Sequence, residues 1–170
     1  MNNAWSTAQA AAVVVLVTLA FSATARAQGP VPPRSDIGAP ENVLRVTPAE
    51  LTWGAGPSML PPGASMALIE GSPSQPGPFT LRLRFPANYR IPAHWHPVKV
   101  TVTVISGTFH MGLGDELDTS NSKTLPVGSV FEMPAKIHHF GWTSEETIIQ
   151  EHGVGPLTVH YLSAADAGTH

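Results

Sequence analysis

Two stretches alternate with period two. Residues 79–85 read FTLRLRF, and residues 98–104 read VKVTVTV. Side chains two apart share a face of an extended strand, so each stretch has one apolar and one polar face. Phe79, Leu81, Leu83 and Phe85 need a core on one side, as do Val98, Val100, Val102 and Val104 on theirs. Similar short runs occupy 64–70, 108–113, 129–133, 146–152 and 157–162. Between the runs lie turn signals such as LPPG, GSPSQPGP, FPAN, GLGD, TSNS, LPVG and HGVGP. No window of a dozen residues after position 27 carries a convincing 3.6-residue period. Many short strands at even spacing predict an all-β sandwich or small barrel.

The N-terminus has a different composition. Residues 10–21, AAAVVVLVTLAF, form an apolar stretch of signal-peptide length, followed by Ala25-Arg26-Ala27, a small-x-small pattern. Residues 1–27 are therefore expected to be a signal peptide, with Gln28 as the mature start and a periplasmic or secreted location. An uncleaved membrane anchor is the competing reading, although the stretch falls short of the roughly 20 apolar residues of a spanning helix. No stable membrane insertion is expected once it is removed. Residues 28–45 open with QGPVPPRSDIGAP and read as a Pro-rich lead-in.

The formal net charge is −3 with no basic cluster, which argues against nucleic acid. There is no cysteine, so thiol chemistry and thiolate ligands are excluded. The compositional oddity is eight histidines among few charged residues. His94 and His96 stand two apart in HWHPVKVTVTV. If 94–104 is one extended segment, they face the same interior as the valines. Neutral imidazole is a good ligand for transition metals, and two buried imidazoles need a partner. A second cluster, His138-His139, follows Gly128 and Pro134 in LPVGSVFEMPAKIHHFGW. Adjacent strand residues face opposite sides, so only one of this pair can join His94 and His96.

These two stretches resemble the paired motifs of the cupin superfamily. His94, His96 and Gly107 match the first motif, and Gly128, Pro134 and His139 match the second. Two positions depart from the pattern. Val100 stands where the metal-binding glutamate is usual, and Lys136 where a second glycine is usual. The resemblance implies a double-stranded β-helix (jelly-roll) barrel over residues 46–165. It also implies a mononuclear site of His94, His96 and His139, holding a divalent transition metal without the acid. Fe(II) is the first expectation, with Zn, Mn, Ni or Cu as alternatives. Three-histidine cupin dioxygenases act on diketones, gentisate-like aromatics or thiols, so an oxidoreductase acting on a small organic molecule is expected. A non-catalytic module binding a metal or small ligand is the alternative. Cupins often pair through edge strands, which raises the expectation of a homodimer.

The remaining polar residues carry weaker signals. His138 is expected to face outward. Glu151 and His152 are neighbours on opposite faces of a late strand; a pocket-lining or surface polar role is the first expectation, and a fourth ligand or a base in the pocket is the alternative for one of them. His110 reads as structural. His160 and His170 carry no usable signal. Trp95 should face away from the histidine pair, while Phe85, Phe109 and Met111 have core parity. Arg82 and Arg84 are expected on a solvated face, with pairing to a partner strand or to Glu residues as the alternative.

Overall fold

The computed structural model describes residues 43–163. The expected signal peptide, lead-in residues 28–42 and residues 164–170, which include His170, lie outside the described residues. The strands are β1 (Gly54–Ala55), β2 (Ser65–Gly71), β3 (Gly77–Phe85), β4 (Arg90–Trp95), β5 (Val100–Ser106), β6 (Phe109–Leu113), β7 (Lys123–Leu125), β8 (Val130–Met133), β9 (His139–Thr143), β10 (Thr147–Gly155) and β11 (His160–Tyr161). Two 3-10 turns, Pro48–Glu50 and Thr119–Asn121, complete the described elements. Among the described residues no helix is long and apolar enough to cross a membrane.

The strands form two antiparallel sheets. One has the order β1-β2-β3-β10-β5-β8, and the other β11-β4-β9-β6-β7. The alternation read in the sequence decides which faces meet. Phe79, Leu81, Leu83 and Phe85 of β3 are buried, as are Val100, Val102 and Val104 of β5. Phe109, Ile91 and Leu125 of the second sheet join the same core cluster. Burying each such side chain contributes about 1.5–3 kcal/mol, so this two-sided core dominates the stability of the domain. Ring stacking of Phe85 on Tyr89 at 4.9 Å, and of Phe109 on Phe131 at 5.9 Å, fills part of the interior with aromatic surface.

The outward residues find partners on the sheet surface. Arg82 Nε donates to Gln150 Oε1 at 3.1 Å, across the β3–β10 pair. The Arg84 guanidinium lies 4.0 Å above the Trp53 ring, and its Nε is buried without a hydrogen-bond acceptor. The arginine face is therefore partly covered and not simply solvated.

Two expectations need correction. Residues 94–104 are not one extended segment: β4 ends at Trp95 and β5 begins at Val100, in the other sheet. Pro97 is the physical reason, since it has no N–H for a ladder and it restricts His96. The backbone carbonyl of His96 instead accepts from Lys136 N at 2.8 Å. The expected strand over 157–162 shrinks to His160–Tyr161, because Leu157 N donates to the Pro73 carbonyl at 2.7 Å, away from any ladder.

Turn geometry explains two motif positions. Gly107 has φ +71, and a Cβ there would meet Thr147 Oγ1 at 2.7 Å. Lys136 has φ +64, a left-handed conformation that a glycine adopts without strain.

Candidate metal centre

His94 and His139 are register partners across the β4–β9 ladder. A bulge between Ile91 and His94 shifts the parity of β4, so both residues face inward. His96 follows the end of β4 and also enters the interior, because the turn at Pro97 carries the chain between two sheets whose inner faces oppose. Ring centroids are separated by 4.2 Å for His94–His139, 4.9 Å for His94–His96 and 5.1 Å for His96–His139. One ring nitrogen from each residue lies within 4.8 Å of the others, and all three side chains are buried. No carboxylate joins this cluster among the described residues.

The tautomers follow from the backbone. His94 Nδ1 bonds to the Pro92 carbonyl at 2.7 Å, His96 Nδ1 to the Thr158 carbonyl at 3.0 Å, and His139 Nδ1 to the Ile137 carbonyl at 2.9 Å. A carbonyl only accepts, so each Nδ1 carries the hydrogen. Each Nε2 of the neutral ring is left with a free lone pair.

Burial also keeps the rings neutral. It is the largest cause holding His94 well below the ordinary histidine value, and the neighbouring His139 and His96 rings add to it. Burial lowers His96 too, opposed by its bond to Thr158. His139 falls to about 4, again by burial first, with the Ile137 carbonyl opposing. Three uncharged imidazoles with free lone pairs are a donor set that fits a divalent transition metal. Metal–nitrogen bonds of about 2.0–2.1 Å leave nitrogens roughly 3 Å apart, inside the observed bound.

The imidazoles form one pole of a cavity of about 110 Å³. Its walls are apolar and include Leu81, Val102, Phe109, Met133, Phe140 and Ile149. Val100 is buried on this wall and supplies no donor. Glu151 also lines the cavity.

The other sequence candidates sort cleanly. His138 bonds to Asp115 Oδ1 at 2.7 Å on the outside. His152 is exposed. His110 stacks on Trp142 at 3.8 Å and bonds to Thr124 Oγ1, while its Nε2 is buried without a partner. Trp95 faces away from the cluster and stacks on His160 at 4.1 Å. Phe85 is fully buried, and Met111 lines the cavity. Nothing local in the sequence points to the Thr158 carbonyl behind His96, nor to Tyr161, whose ring lies 5.7 Å from His94. The first is a backbone group and the second is joined through a two-residue strand, so neither leaves a local pattern.

No family model matches the sequence. No curated protein matches it either. Solved structures do resemble it. The polyketide cyclase RemF from Streptomyces resistomycificus superposes with a TM-score of 0.59 at 13% identity, over 75% of this chain and 91% of that one. A candidate acetylacetone dioxygenase from Methylibium petroleiphilum gives 0.56 at 18% identity, over 75% and 86%. An RmlC-like cupin from Shewanella frigidimarina gives 0.51 at 15% identity, over 64% and 87%. The fold is that of the cupin double-stranded β-helix. At these identities the likeness concerns the fold alone, and the three-histidine cluster is what the chain itself adds to it.

Proposed function

We propose that the protein holds a mononuclear divalent metal, Fe(II) in the first instance, on His94, His96 and His139, and that it oxidises a small organic molecule with O₂. The single observation behind this reading is the set of three neutral imidazoles, their Nδ1 atoms fixed by backbone carbonyls and their free nitrogens clustered within 4.8 Å. A metal on three neutral donors keeps its full positive charge and open coordination positions, which supplies Lewis acidity and a place for substrate and O₂. The chain's own residues do the rest. The carbonyls of Pro92, Thr158 and Ile137 orient the rings, and Val100, Val102 and Phe140 exclude water. A cavity of about 110 Å³ limits the substrate to a compact molecule. Cavities of roughly 150 Å³ hold benzene.

Val100 in the place of an acid favours a second reading, a module that binds a metal or small ligand without turnover. Anaerobic Fe(II) loading followed by metal analysis tests the site, and binding below about a tenth of an equivalent overturns it. Oxygen uptake across β-diketones, catechols, hydroxylated aromatics and thiols then separates enzyme from module. Uptake with none of them supports the module.

We also place the mature protein in the periplasm or outside the cell, on the strength of the apolar stretch at 10–21 and Ala25-Arg26-Ala27. N-terminal sequencing of exported protein should begin at Gln28. Light scattering at twice the chain mass would support a homodimer formed through an edge strand.

A further inference from the structure

The polar inventory of the cavity is short. Apart from the three imidazoles, its lining carries only Glu151 and Ser74 as polar side chains. Ser74 Oγ already bonds to Ser72 Oγ at 3.1 Å. The Glu151 side chain makes no hydrogen bond or ion pair among the described residues. It projects from β10 between its register partners Leu81 on β3 and Val102 on β5. The side chain is half-buried and borders the cavity, so its carboxyl is open to a cavity occupant and has no protein partner to give up.

The register relates this acid to the missing one. Val100 pairs with Gly153, which has no side chain to fill the inner face of β10. Glu151 is the next inward residue on that strand and a diagonal neighbour of Val100. Such neighbours lie about 7–8 Å apart, within reach of a long side chain. The acid therefore stands one strand over from the usual position, and its oxygens do not join the 4.8 Å imidazole cluster. The imidazoles and Glu151 line the same cavity, so one ligand there can meet both.

We propose that Glu151 is the proton-accepting group of this pocket, and that the pocket takes a compact ligand with an acidic O–H, an enol or a phenol. The ligand O–H bond breaks and the electron pair stays on the ligand oxygen, which turns to the imidazole pole. The proton forms an O–H bond on the Glu151 carboxylate. Net charge in the cavity is unchanged, and the negative charge moves from an apolar wall to the side where a bound cation faces it. Burial raises the carboxyl to about 7, so it accepts a proton readily in neutral to mildly alkaline solution. This role rests on the metal-site reading above and adds the residue and the ligand chemistry to it.

The test is a proton inventory by calorimetry, with catechol as the probe. The protein is loaded anaerobically with Fe(II), and catechol is titrated in two buffers of different ionisation enthalpy near pH 8. Wild type is compared with Glu151→Gln and Glu151→Asp, with metal content measured on the same samples. The Gln variant should release about one more proton to buffer per catechol bound than wild type. The Asp variant, which keeps an acid, should restore the wild-type count. Full metal loading with equal proton counts in all three proteins overturns the role of Glu151 alone. Loaded protein that binds no catechol overturns the ligand class. Failure to load metal overturns the metal-site reading and this role together.

Discussion

Replacing Glu151 by Gln should change stability in a way that depends on pH, in metal-free protein. The unfolded carboxyl gives up its proton near 4.5, whereas burial makes the folded one keep it to about 7. Between those values the native state binds more protons than the unfolded chain, so this group weakens the fold as pH rises. Retaining the proton over that span corresponds to roughly 3 kcal/mol, and the partial opening of the cavity to water reduces the expectation to about 2 kcal/mol. Near pH 5 both proteins carry a neutral group at 151 and should differ little. Near pH 8 the Gln variant should be the more stable by about 2 kcal/mol. The imidazoles act in the opposite sense. Their folded values lie below 6.5, so the stability they support is complete above that value and is lost as pH falls toward their folded values. They are present in both proteins and cancel in the difference. Urea unfolding with chelator at the two pH values measures it. A stability difference that is the same at both would refute a buried, proton-retaining Glu151.

Three further outcomes are expected. Val100→Glu should tighten divalent metal binding about tenfold by adding a carboxylate to the imidazole pole, as read by competition with a chromophoric chelator; an unchanged affinity would mean that residue 100 does not reach the site. Lys136→Gly should stabilise the domain by about 0.5–1 kcal/mol in urea unfolding, since φ +64 strains a lysine and not a glycine. Gly112→Ala should cost about 1–3 kcal/mol and lower the thermal midpoint, because a Cβ there meets the Phe140 ring and lies 2.6 Å from the Asn121 carbonyl. An unaltered midpoint would show that this packing yields freely.

Much of the fold was legible because the alternation in β3 and β5 leaves only one way to bury the apolar face. Phe79, Leu81, Leu83 and Phe85 are buried as their parity requires, and so are Val100, Val102 and Val104. The strands that escaped notice lack that signal. β4 contains Pro92, a residue that ordinarily argues against a strand, and β1 has only two residues. The pairing partners of β4 are distant in sequence: His160 sits opposite Trp95 and His139 opposite His94. No local window records such a contact.

The site shows where parity reasoning stops. His94 and His96 reach the interior as the alternation predicted, but by a different route. A bulge resets β4 before His94, and Pro97 ends the strand before His96 can be counted along it. Both rings still face inward because the chain passes between two sheets with opposed inner faces, so an inward residue stays inward across the turn. The Glu151-His152 pair follows simple alternation. β10 pairs with β3 without a register shift from Thr147 to Gly155. Thr147 and Ile149 are buried, so Glu151 shares their inner face and lines the cavity, while His152 faces solvent. The irregular step in the β10–β5 ladder lies on the other strand, where Ile105 is passed over between Val104 and Ser106. The parity of β10 alone therefore puts an acid, and not a fourth imidazole, on the cavity wall. What hid this in TIIQEHGVG is that Ile148 and Ile149 are both apolar, so the stretch does not say which of its faces meets the core.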